Sequence, residues 1–172
     1  MIRRRIARSL IVACVAGALA ACGGGSSGAV EYSATDLTTG AAVSVESLRG
    51  HPVLLVSWTT WCTECDEELS GLQEFAASST SSGLEIVAVN LDAADVEDEI
   101  EAKVADHGLT TALWRDRRNE FKRVFGTLGV PTTVLLDRDG VVVGAFPGAV
   151  DFDDEHILAA LDEVGITTPA GT

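Results

Sequence analysis

Cys62 and Cys65 stand two residues apart at a junction between two very different runs of sequence. Before them, Pro52-Val-Leu-Leu-Val-Ser-Trp58 is apolar and β-branched and reads as a buried strand. After them, Leu69, Leu72, Phe75 and Ala76 recur at helical spacing from Glu64 onward. The pair therefore sits where a strand hands over to a helix. A helix N-terminus presents unpaired N–H groups and a partial positive charge, and both stabilise a thiolate. The thiolate is the nucleophile of disulfide exchange. Cys62, at the helix edge, is read as the attacking sulfur, with Cys65 one turn inside on the face that reaches back to it.

The rest of the chain alternates strands and helices. A short strand is expected at Ala42–Val45, and Leu48-Arg-Gly-His-Pro52 reads as the turn into the buried strand. The first helix should run from Glu64 to Ser79 and the next strand from Leu84 to Leu91. Val96, Ile100 and Val104 mark an amphipathic helix over Asp95–His107, with Gly108 as its cap. Thr111–Trp114 reads as a strand and Asn119–Phe125 as a helix. Thr132–Asp137 and Val141–Phe146 read as strands joined by Asp137-Arg-Asp-Gly140, a hairpin signal, before a closing helix over Asp153–Val164. That order implies an α/β fold with a mixed central sheet covered by helices on both faces.

With those elements in place, the chain resembles the TlpA/ResA group of membrane-tethered, extracytoplasmic thioredoxin-like proteins over roughly Leu37 to Leu161. Trp58-Thr-Thr-Trp-Cys62-Thr-Glu-Cys65 is similar to the group's W-x-T-W-C-x-x-C, and Gly129-Val-Pro-Thr-Thr133 to its G-[IV]-P-T-T. Asp137-Arg-Asp-Gly140 parallels its D-x-x-G hairpin. The resemblance implies a thioredoxin-like domain whose cofactor is its own redox-active Cys62–Cys65 disulfide, with protein disulfides as substrates. It implies a cis proline at Pro131 lying against the dithiol, so that Trp61, Val130 and Pro131 form the substrate-binding surface. It also places an active-site carboxylate at Glu68. The chain departs from the group in three places. Glu64 replaces the proline before the second cysteine, and Ser70 replaces the proline that kinks the helix. Val56 stands where a buried Asp or Asn is usual. Val56 handles no proton, which leaves Glu68 as the candidate base for Cys65.

The N-terminus supplies an address. Arg3, Arg4, Arg5 and Arg8 precede a short apolar segment, Ser9–Ala21, and Leu19-Ala-Ala-Cys22 is similar to a bacterial lipobox. The apolar segment is short for a membrane span. Residues 1–21 are read as a signal peptide of Sec type, Cys22 as the lipidated residue, 22–30 as a Gly/Ser linker, 31–166 as the domain and 167–172 as a frayed end. Export would leave eight basic against 26 acidic residues, a formal charge of −18. Such a surface repels nucleic acid and anionic headgroups, so membrane residence must come from the anchor. Cys14 leaves with the leader and Cys22 carries lipid, so only Cys62 and Cys65 remain as thiols of the mature domain, in a compartment where disulfides persist. The expected partners are protein disulfides and a membrane electron donor, with the protein acting as a monomer.

Other classes fit less well. A peroxiredoxin-type peroxidase needs a proline where Leu55 stands. A Sco-like copper chaperone needs C-x-x-x-C, and two thiolates are too few for a closed zinc site, so no metal is assigned. His51, His107 and His156 are read as surface or turn residues. Glu64, Asp66, Glu67 and Glu68 crowd the dithiol, with no Lys, Arg or His among residues 52–102. At about 7 Å in water each would cost a thiolate roughly 0.6 kcal/mol. Opposing the thiolate lowers the potential, so the charges predict a reductant nearer about −250 mV than about −120 mV.

Overall fold

The computed structural model describes residues 28–79 and 83–167. The leader, Cys14, Cys22, the linker up to residue 27 and the tail 168–172 lie outside the described residues. Seven strands form one mixed sheet: β1 (Ser33–Asp36), β2 (Ala42–Ser44), β3 (Val53–Trp58), β4 (Glu85–Asn90), β5 (Ala112–Arg115), β6 (Thr132–Leu136) and β7 (Val142–Pro147). Their order across the sheet is β2-β1-β5-β4-β3-β6-β7. β3, β4 and β5 run parallel, and β6, β7, β1 and β2 join antiparallel at the flanks. Four α-helices connect them: α1 (Glu64–Ser79), α2 (Glu97–Asp106), α3 (Glu120–Phe125) and α4 (Glu155–Glu163).

β3 lies between β4 and β6 and is buried along its whole length, as a strand covered on both faces must be. Its residues divide by pleat between two cores. Leu54, Val56 and Trp58 pack with Leu69, Leu72 and Phe75 of α1, Ile100 of α2 and Ile157 and Leu161 of α4. Val53 and Leu55 pack on the opposite face with Tyr32, Trp114 and Phe121 of α3. The helices thus cover both sides of the sheet, as the element order predicts.

Two differences from the sequence reading stand out. β1 is a strand that the pattern conceals, because its four residues alternate between exposed and half-buried and carry little apolar signal. The span read as linker also reaches into the domain. Ala29 bridges Val141, and the Val30 N–H donates to the Gly140 carbonyl at 2.9 Å. The hairpin at Asp137–Gly140 closes as expected. The Asp137 carboxylate accepts from the Asp139 and Val141 amides, and Gly140 takes φ +74°, with the Arg49 guanidinium packed where a side chain would project.

Candidate active site around the Cys62–Cys65 disulfide

β3 ends at Trp58, and the chain turns through Thr59–Thr63 into α1. Cys62 lies just outside the helix and Cys65 is its second residue, which puts both sulfurs at the helix N-terminus. They are joined as a disulfide, with Cα atoms 5.4 Å apart. The Cys65 N–H donates to Cys62 Sγ at 3.1 Å. Cys62 retains 6% of its surface and Cys65 none. An external sulfur therefore reaches Cys62 first, and a negative charge on that sulfur already has an amide donor.

Trp61, 72% exposed, stands beside the pair. It lines a cleft of about 200 Å³ with Leu91, Lys122, Leu128 and Val130. A second cleft, about 370 Å³, continues from Leu128 across Val130 and Pro131 to Pro147. The Val130–Pro131 peptide bond is cis. Leu128 is 93% exposed, an apolar side chain at the mouth of both clefts that the sequence reading missed. Its signal was an isolated leucine in a Gly/Thr loop, Gly126-Thr-Leu-Gly129.

Glu68 follows Cys65 by three residues on α1, which makes them neighbours on one helix face, with Cβ atoms about 5–6 Å apart. It is buried, 2% exposed, rather than solvated. Thr133 Oγ1 donates to Glu68 Oε1 at 2.6 Å, and the Val150 N–H lies 3.4 Å from the same oxygen. Oε2 is buried with no hydrogen-bond partner. Burial pushes the carboxyl up to about 7, against the lowering effect of the Thr133 and Val150 donors. Thr133 pairs with Val56 across β6 and β3. The apolar residue at position 56 is thus compensated from the neighbouring strand and from α1, which brings an acid to the same core.

The turn carrying Thr60 to Cys62 is held from two directions that the sequence reading did not identify. Asp92, just past β4, accepts from the Thr60 N–H at 2.8 Å and lies 3.2 Å from Thr60 Oγ1. Asn90 and Arg115 brace that carboxylate. The Asn90 amide donates to Asp92 at 2.9 Å, and Arg115 Nη1 donates to Asn90 Oδ1 at 2.7 Å. From α2, Lys103 Nζ donates to the Cys62 carbonyl at 2.8 Å, to the Thr60 carbonyl at 3.4 Å, and to Asp66 Oδ1 at 2.8 Å. His107 Nε2 lies 3.0 Å from the same Asp66 oxygen, and its Nδ1 lies 3.0 Å from Ser70 Oγ. Lys103, with burial opposing it and His107 adding to it, holds the Asp66 carboxyl below its usual range.

The charge around the dithiol is not the uniform acidity that residues 52–102 suggest. The window without a cation ends at residue 102, and the next residue folds back onto the dithiol. Asp66 is paired with Lys103, and burial raises Glu68 to about 7, so the acidic residues at the start of α1 do not act as one field of equal charges. His107 is a partner of α1 rather than a plain surface residue. Ser70 leaves α1 continuous over its 16 residues. Among the described residues, no group of three or more His, Cys, Asp or Glu is arranged to hold a metal ion, and no helix is long and apolar enough to cross a membrane.

Residues 27–145 match the AhpC/TSA family. The chain is 29% identical over 120 residues to the thiol-disulfide oxidoreductase ResA of Bacillus thuringiensis subsp. konkukian, covering 70% of this chain and 68% of that one. It is 30% identical over 126 residues to ResA of Geobacillus kaustophilus, covering 73% and 71%. Among solved structures it superimposes on a putative thiol:disulfide interchange protein DsbE from Chlorobium tepidum with a TM-score of 0.70 at 24% identity, covering 80% of this chain and 96% of that one. StoA from Bacillus subtilis gives 0.60 at 24% identity, covering 70% and 89%. These likenesses show the thioredoxin-like fold.

Proposed function

The chain belongs to the AhpC/TSA family as a thioredoxin-like thiol–disulfide oxidoreductase of the ResA/TlpA type, and from that premise we propose that it reduces disulfides of other proteins outside the cytoplasmic membrane, tethered by a lipid on Cys22. The observation that carries this reading is the asymmetry of the pair: Cys62, next in the chain to exposed Trp61, keeps 6% of its surface, while Cys65, three residues before buried Glu68, keeps none.

The reaction follows from that asymmetry. The Cys62 thiolate attacks one sulfur of a substrate disulfide, and the other substrate sulfur leaves as a thiolate. An extended substrate segment lies along Trp61, Val130 and Pro131. The Cys65 thiol passes its proton to the Glu68 carboxylate and attacks Cys62 Sγ. The second substrate thiolate departs, and the enzyme is left as the Cys62–Cys65 disulfide. Two electrons have moved to the substrate, carried by the dithiol as the only cofactor. A membrane electron donor then restores the dithiol. Disulfides of apocytochrome c awaiting haem attachment are the substrate suggested by the resemblance to TlpA/ResA proteins.

Trapping tests the assignment. Cys65→Ser should accumulate mixed disulfides with partners and Cys62→Ser almost none; equal trapping by both would reverse or abolish it. Equilibration with glutathione or dithiothreitol tests the direction of electron flow: a potential near about −250 mV supports a reductant, and one above about −170 mV makes this an oxidant. Mass spectrometry of the mature protein tests the anchor, which an unmodified Cys22 with a free amine excludes. Peroxide consumption is not expected, since Leu55 lies in the interior of β3, where a proline would break the strand ladder.

A further inference from the structure

Lys103 makes a set of contacts that the exchange chemistry alone does not explain. A lysine on the buried face of a helix usually reaches outward to water. This one keeps 9% of its surface and turns inward to three acceptors: the Thr60 and Cys62 carbonyls and the Asp66 carboxylate. An ammonium has three N–H donors and a neutral amine two, so only the charged form fills all three positions. With ordinary bond lengths and angles, the sulfur of Cys62 lies at most about 5 Å from its own carbonyl oxygen. With the 2.8 Å contact to that oxygen, Nζ stands within roughly 8 Å of Cys62 Sγ.

We infer that Lys103 is a positioning residue of the dithiol, whose ammonium pins the Thr60–Cys62 turn and supplies the positive charge that lets Cys62 ionise beside an acidic helix start. The charges around the sulfur make that supply necessary. On α1, Glu64, Asp66 and Glu67 are acidic, and buried Glu68 follows. Asp92 faces the turn from just past β4, and His107 faces Asp66 from the C-cap of α2. Lys122 on α3 lines the Trp61 cleft. Lys103 is the cation that bonds to the Cys62 backbone itself, and Asp66 sets how much of its charge the sulfur feels. The inference rests on the reading of Cys62 as nucleophile, but not on the direction of electron flow or on the anchor.

The test is the pH dependence of iodoacetamide alkylation of Cys62 in the reduced full chain, read by mass spectrometry. At about 8 Å a unit charge moves a thiol by roughly 0.4 unit in a water-like medium and about 1.5 in a protein-like one. Lys103→Gln, which keeps a donor for the carbonyls, should raise the alkylation midpoint by about one pH unit, and Lys103→Arg should leave it near wild type. Asp66→Asn should lower it, because it unmasks the ammonium. A purely structural Lys103–Asp66 bridge predicts that both losses act alike, so shifts in the same direction, or none, overturn the inference. If Lys103→Gln does not fold, the Asp66→Asn arm decides alone. If Cys62 is not the more reactive thiol even in the wild type, it is the exchange assignment that fails.

Discussion

Asp66 and Glu68 are both carboxylates of α1, two residues apart, and the fold treats them in opposite ways. Asp66 is half-exposed and meets Lys103 and His107, so it stays charged. Glu68 lies on the inward face against Thr133 and the Val150 amide, with no cation paired to it among the described residues, and burial pushes it up to about 7. Two residues along an α-helix turn the side chain about 200°, enough to change solvent and partners together. A carboxylate kept charged organises the turn in front of the dithiol. One kept near half-protonation at neutral pH is suited to move a proton. The acidity of this helix is therefore two functions and not one field.

The largest expected effect separates the two acids by activity. Glu68→Gln should slow the step made by Cys65 by about 10²-fold and remove an inflection near pH 7 from the rate profile. Single-turnover release of substrate from a preformed Cys62 mixed disulfide measures it, and an unchanged profile would remove Glu68 from the proton path. Stability should separate them next, with opposite signs. The folded value of Glu68, about 7, lies above its ordinary 4.5, so what it contributes is present below about pH 4.5 and lost as pH rises through about 7. Glu68→Gln should therefore gain about 2–3 kcal/mol relative to wild type between pH 4 and pH 8, read from denaturation of the oxidised protein.

A smaller effect probes the bond that tempers the burial. Thr133→Val removes the donor to Oε1 while keeping the shape of the side chain, and should cost about 1 kcal/mol and move the inflection upward. A downward shift would mean that the hydroxyl does not favour the charged form. The smallest effect belongs to the exposed side. Asp66 is held below its ordinary range, so its contribution is present above about pH 4 and lost as pH falls further. Half-exposed and screened, the pair should be worth no more than about 1 kcal/mol, and His107→Gln only a few tenths, both fading in high salt. Melting at low and high ionic strength checks this. A larger, salt-independent loss would place Asp66 with the buried acids and dissolve the contrast.

How legible this was in the sequence depended on distance along the chain. The alternation of strands and helices, the dithiol at the end of β3, the helix that carries it and the Asp137–Gly140 hairpin are all local patterns, and each element was found to within a few residues. β1 was not, since a half-exposed strand of four residues at the sheet's flank carries no apolar run. Lys103 was not either, because in sequence it looks like one more charge on an acidic helix. A sequence separation of 41 from Cys62 hides a contact of 2.8 Å.

By itself, the sequence determined where the sulfurs would sit and what kind of bond they would make, because a CxxC between a buried strand and an amphipathic helix has one local geometry. It also determined that an acid would stand one turn after Cys65. Only the tertiary structure decided what that acid would be. Packing α1 against β6 set Glu68 beside Thr133, while packing α2 against the start of α1 delivered Lys103 and His107 to Asp66. The ionisation of a carboxylate depends on its solvent and its neighbours, and both are assigned by contacts between segments far apart in the chain.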